Sequence, residues 1–118
     1  MTKKKILVVD DNEDAARMLE LLLDAMGYDA RSATSGADAV NVSGEFRPDA
    51  AVLDLSLPDV DGFELAARLR RLDGLEAVRL VAVTGWSDPD ADRRARELGF
   101  HAFLVKPVDA AKLDEALR

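Results

Sequence analysis

The chain has 118 residues, 48% hydrophobic and 33% charged, and its 16 basic against 23 acidic side chains leave a net charge of −7. That length and polarity lead us to expect one compact domain over residues 1–118, without a second. The absence of cysteine excludes a disulfide framework, a thiolate metal site and a cysteine nucleophile, and it suits a reducing, cytoplasmic setting.

Residues 6–9 form the first of four short apolar runs; the others are 50–53, 80–83 and 102–105. None alternates in polarity, so each is expected to be a strand buried on both faces. After the first run, Ala15, Met18, Leu19, Leu22, Leu23 and Met26 recur at helical spacing, with Gly27 as a left-handed stop. A strand over 29–33 follows, mixed in polarity and therefore an edge candidate, and then a short helix over 37–43. Beyond the 50–53 run, Phe63, Leu65, Ala66, Leu69 and Leu72 mark a helix that ends before Gly74. A helix over 88–98 starts on Asp-Pro and carries a thin apolar stripe of Ala91, Ala95 and Leu98. Its Asp90/Arg94 and Asp92/Arg96 are spaced for surface ion pairs. The last helix takes Asp109 as its N-cap and includes Leu113 and Leu117.

Strands alternating with helices at this spacing imply right-handed crossovers, hence an α/β fold with a parallel sheet between two helical layers. No apolar run approaches the ~20 residues of a membrane helix. The basic residues are scattered and form no footprint for direct nucleic-acid binding.

Each apolar run ends in a polar residue: Asp10 and Asp11, then Asp54, Thr84 and Lys106. Singly, each has an ordinary explanation as a strand end, cap or turn. Together they occupy the carboxyl ends of parallel strands, which share one edge, where open α/β sheets bind ligands. Two ionised carboxylates ~4 Å apart repel by about 4 kcal/mol at an effective dielectric near 20, so a gathering of three calls for a cation. Lys106 supplies one charge. With oxygen donors only, Mg²⁺ is the natural divalent ion, and Mn²⁺ can substitute. A carboxylate beside a divalent ion, an ammonium and a hydroxyl makes a nucleophile for phosphoryl transfer, with Asp54 attacking in line to give an aspartyl phosphate.

These residues resemble the receiver domain of two-component response regulators nearly from end to end. The resemblance is carried by the acidic pair Asp10-Asp11, Asp54 in Val52-Leu53-Asp54-Leu55, the loop Leu57-Pro58-Asp59-Val60-Asp61-Gly62, Thr84-Gly85 and Lys106-Pro107. It implies a flavodoxin-like, three-layer, doubly wound (βα)₅ fold with strand order 2-1-3-4-5, an order for which a receiver of this family is itself a standard example. It also implies that Asp54 is the phosphoacceptor, Asp11 a direct Mg²⁺ ligand, Asp10 a helper through water, and Ser56 a ligand through its backbone carbonyl. Thr84 would hydrogen-bond the phosphoryl oxygen, Lys106 would pair with it, Phe103 would be the switch aromatic, and the Lys106-Pro107 bond would be cis. The implied donor is a phosphohistidine on a sensor histidine kinase or a phosphotransfer domain, and the chain passes a signal instead of turning over a metabolite.

The pattern departs from the family at Ser56 and Trp86, which flank the path of the hydrolytic water. Trp86 either shields that path or merely covers the loop or belongs to a partner surface, and an unchanged dephosphorylation rate in Trp86→Ala would sink the first. The short last helix suggests a fragment, and Thr84-Gly85-Trp86 resembles receivers fused to hybrid kinases. Two rival functions are an aspartate-nucleophile phosphohydrolase, which wants a second carboxylate where Ser56 stands, and an interaction module that does without phosphorylation. A calcium loop over Asp10, Asn12 and Asp14 fails because Ala15 and Leu21 occupy the glycine and glutamate positions. A flavin-type phosphate cradle fails because the first loop is acidic.

Overall fold

The computed structural model describes residues 3–85 and 88–118. In chain order they form β1 (Lys5–Val9), α1 (Glu13–Ala25), β2 (Asp29–Ala33), α2 (Gly36–Phe46), β3 (Ala50–Asp54), α3 (Gly62–Arg70), β4 (Arg79–Thr84), α4 (Pro89–Glu97), β5 (Ala102–Val105) and α5 (Ala110–Leu117). The sheet is parallel throughout, in the order β2-β1-β3-β4-β5.

The apolar runs serve two cores at once. Successive side chains of a strand point to opposite faces. Thus Leu7, Val9, Ala51, Leu53, Leu80 and Ala82 pack with Ala39 of α2, Leu65 and Leu69 of α3 and Ala95 of α4. Their neighbours Ile6, Val8, Val52, Val81 and Val83 pack with Leu23 of α1 and Leu113 and Leu117 of α5. A strand covered on both sides has no use for alternation, which is why β1, β3 and β4 read as continuous runs.

The fourth run behaves differently from the expectation of burial on both faces. No residue of β5 is fully buried, and Val105 is 39% exposed. The cause is position: β5 is the outer strand beyond β4, with a neighbour on one side only. At the other edge β2 lies as its mixed polarity predicts, and the Arg31 guanidinium stacks over the Phe46 ring, 4.7 Å from its centroid.

The helix ends follow capping chemistry. Asn12, Ser35, Asp61, Asp88 and Asp109 are the N-caps, each accepting a hydrogen bond from a backbone N–H of the first turn. Gly27 takes φ +96 after α1, a conformation that side chains resist. Three details depart from the sequence reading. Helix α2 runs on to Phe46, whose ring is buried, so the helix is longer than 37–43. Met18 of α1 is 71% exposed and Leu98 48% exposed, so neither belongs to the core stripe to which its spacing assigned it. In α4, Arg96 pairs with Asp92 at 2.7 Å as spaced, but Arg94 instead stacks over Phe63 at 4.4 Å, and Asp90 is paired by Arg93.

Candidate functional site

Strand register alone brings the polar residues together. Val9 is opposite Leu53, so Asp10 and Asp54 are the next residues along adjacent strands. Asp54 is opposite Val83, which puts Thr84 one step beyond, and Thr84 is opposite Val105, which puts Lys106 one step beyond that. Four residues spread over almost the whole chain thus meet at one edge of the sheet. The backbone N–H of Lys106 donates to the Thr84 carbonyl at 2.8 Å, and the Lys106-Pro107 bond is cis.

Asp10 and Asp54 are buried, at 7% and 6% exposure, whereas Asp11 faces solvent. One carboxylate oxygen from each of Asp10, Asp11 and Asp54 lies within 4.8 Å of the other two. The Lys106 ammonium donates to Asp10 Oδ2 and to Asp54 Oδ2, both at 3.0 Å. Partial burial opposes the charge on Lys106. Hydrogen bonds and the negative field of Asp10 and Asp54 outweigh that effect and hold its pKa above the ordinary lysine value.

The remaining carboxylate oxygens are also held. Asp10 Oδ1 accepts from the Asn12 N–H at 3.0 Å, and Asp54 Oδ1 accepts from the Ser56 N–H at 2.8 Å. These bonds aim both carboxylates into the cluster. The donor set is all oxygen, and its three carboxylates against one ammonium leave two formal negative charges, which fits a hard divalent cation such as Mg²⁺.

Thr84 is buried at the end of β4. Phe103 is half-buried on β5 and packs against the core beneath α2, α3 and α4. Ser56 is exposed in the loop after β3. Trp86 lies outside the described residues.

Sequence reasoning assigned no part to Asp59, which accepts hydrogen bonds from the N–H groups of Gly36 at 2.9 Å and Ala37 at 3.2 Å. Nothing in the local pattern announces a partner 23 residues upstream; only the loop motif around Asp59 signals that this stretch matters.

With this geometry established, comparison with known proteins gives a consistent result. A family model for the response regulator receiver domain matches residues 6–118. The polar-differentiation response regulator DivK of Brucella anthropi is 30% identical over 115 residues, spanning 98% of this chain and 94% of that protein. A response regulator receiver domain (CheY-like) from Methylobacillus flagellatus superposes with a TM-score of 0.88 at 35% identity, covering 98% of this chain and 97% of the other. A response regulator from Burkholderia pseudomallei, solved with a phosphorylated aspartic acid, calcium ion and citrate, superposes with a TM-score of 0.88 at 29% identity, covering 98% of this chain and 67% of that one.

Proposed function

Since the chain belongs to the response regulator receiver domain family, we propose that Asp54 is its phosphoacceptor, that Asp10, Asp11, Asp54 and the Ser56 carbonyl hold Mg²⁺, and that the donor is a phosphohistidine. The observation that carries this reading is the pairing of Lys106 with both Asp10 and Asp54 inside a cluster of three carboxylates. The phosphorylated aspartic acid in the Burkholderia pseudomallei relative lends it further support.

In this mechanism a carboxylate oxygen of Asp54 attacks phosphorus, the P–N bond to the donor imidazole breaks, and a P–O bond to Asp54 forms. Bound Mg²⁺ supplies positive charge to the phosphoryl oxygens. Lys106 already points at Asp54 and neutralises a further share without reorganising. The Thr84 hydroxyl donates to a phosphoryl oxygen. A new charge of about −1.5 to −2 then biases Thr84 inward and Phe103 with it, altering the surface around β5 that a partner reads. The protein acts as a signal switch whose chemistry is its own phosphorylation and dephosphorylation at Asp54.

A groove of about 660 Å³ between α1 and Pro107–Val108 gives a donor a route to the site. Ala15, Met18, Leu22 and Val108 line it, and it opens on Asp54 and Lys106. The phosphohydrolase reading has less support, because Ser56 stands where that chemistry wants its second carboxylate and uses its N–H to fix Asp54.

Incubation with acetyl phosphate and Mg²⁺ tests the assignment. Mass spectrometry is expected to find one phosphoryl group, on the peptide that contains Asp54, and chelation of the metal is expected to prevent its appearance. A phosphoryl group on any other residue would refute it.

A further inference from the structure

The loop over 55–61 between β3 and α3 contains Ser56, and its route is set by contacts with a distant helix. Both oxygens of the Asp59 carboxylate are used: Oδ1 accepts from the Gly36 N–H and Oδ2 from the Ala37 N–H, the first two residues of α2. The next free N–H, that of Asp38, is taken by the Ser35 hydroxyl at 3.1 Å. One exposed carboxylate therefore ties the loop after the phosphoacceptor to a helix whose preceding strand, β2, lies two places from β3 in the sheet.

Packing reinforces the tie at both ends. Val60 is buried and occupies the space that a side chain at position 36 would need, so Gly36 is the residue that admits it. At Gly62 an added Cβ would lie 2.8 Å from the Leu55 Cα and 3.1 Å from the Asp54 carbonyl, so the loop closes directly against the end of β3. The two N–H donors hold the Asp59 carboxyl below the usual carboxylate range, consistent with an anion at a helix start.

We propose that Asp59 is a positioning residue for the divalent-ion site, holding the 55–61 loop so that the Ser56 carbonyl is in place before the ion arrives. This rests on the reading of that carbonyl and the aspartates as the ion's ligands. A backbone donor on a tethered loop loses little freedom on binding, whereas on a free loop the ordering must be supplied by the ion. Asp59 touches neither the ion nor the phosphoryl group; it acts through the path of the chain.

Calorimetric titration of the full chain with Mg²⁺ tests the idea, using three variants. Asp59→Ala is expected to weaken Mg²⁺ binding by about tenfold, the lower end of what loss of a supporting contact costs a metal site. Asp59→Asn keeps an oxygen acceptor for one of the two N–H groups and is expected to lose about threefold, between wild type and the alanine variant. Ser35→Ala removes a hydrogen bond from the same helix end without touching the loop; it should lower thermal stability but leave Mg²⁺ affinity as in wild type. Hydrogen exchange supplies a readout without metal: the amides of Ser56 and Leu57 should exchange faster in Asp59→Ala than in Ser35→Ala. Should Asp59→Ala not fold, the Asn variant decides. Affinity equal to wild type in the folded Asp59 variants, or an equal loss in Ser35→Ala, would overturn the tether alone. No saturable Mg²⁺ binding by wild type would overturn the site reading and the tether with it.

Discussion

At the carboxyl end of the sheet, beside the helix caps, four charged side chains meet one another; at the amino end, polar side chains meet backbone. Asp10, Asp11, Asp54 and Lys106 form the first group. In the second, Arg70 donates to the carbonyls of Leu98 and Gly99, Arg79 Nε to that of Ala116 and Lys4 to that of Leu117, while Asp49 accepts from the Lys5 N–H and His101 Nδ1 from the Leu80 N–H. The division follows from the βα alternation. Helices run against the strands, so their carbonyl-rich C-termini gather at the amino end and favour cations there, while their N-termini gather at the carboxyl end and favour acids. The amino-end contacts complete backbone groups and add stability. At the carboxyl end the fold concentrates like charge at a cost in stability, and that stored repulsion gives an incoming cation something to relieve.

The sharpest test of this contrast is Asp54→Asn. It is expected to abolish phosphoryl incorporation from acetyl phosphate, read by mass spectrometry, while changing unfolding free energy by less than about 1 kcal/mol, because one of three crowded charges disappears along with an ion pair. Next comes Lys106→Met, which leaves Asp10 and Asp54 without their cation. Breaking a fully buried pair costs about 3 to 5 kcal/mol, but the Lys106 side chain is 37% exposed and water screens the loss, so a urea titration should show roughly 1 to 3 kcal/mol. Saturating Mg²⁺ should recover part of it, and failure to do so would mean that the cluster is not the ion's site.

Arg70→Ala probes the opposite end. Losing its charged hydrogen bonds to Leu98 and Gly99 should cost about 1 to 2 kcal/mol in the same titration with Mg²⁺ affinity unchanged. A weakened Mg²⁺ site would show that the two ends are coupled.

The smallest effect belongs to His101. Burial, then the charges of Arg79 and Arg70, hold its pKa below the ordinary 6.5. Above pH 6.5 both folded and unfolded forms are neutral there and the residue adds no pH dependence. As pH falls below that value the unfolded chain takes up a proton that the folded one resists, so stability declines until the folded pKa is passed. Equilibrium unfolding between pH 7 and 5 should show a shallower loss in His101→Gln than in wild type, with the site's Mg²⁺ response at neutral pH unaltered.

Much of this was legible in the chain itself. The order of strands and helices was readable because three of the four apolar runs serve two cores, a demand that removes alternation from β1, β3 and β4. The gathering of these polar residues was readable because each stands on the last position of a strand or within two residues of it, where parallel register must align them. The same logic misled at β5: Ala102 to Val105 is as apolar as the others, yet polarity carries no information about whether a second neighbour exists, and that strand is half-exposed. Arg94 was spaced for an ion pair with Asp90, but an aromatic ring on α3 lay within reach and took it instead.

Short-range chemistry, meaning periodicity, caps and the residue that ends each strand, was therefore enough to give a parallel α/β sheet and the gathering of Asp10, Asp11, Asp54, Thr84 and Lys106 at one edge, while the strand order followed from the family resemblance. What waited on three dimensions was every relation between segments that share no local pattern: which edge lies bare, which carboxylates Lys106 joins, and that Asp59 reaches back to Gly36 and Ala37. Local preferences are decided by a residue and its near neighbours. Contacts across the sheet are decided by how whole layers settle against one another, and no window along the chain holds both partners.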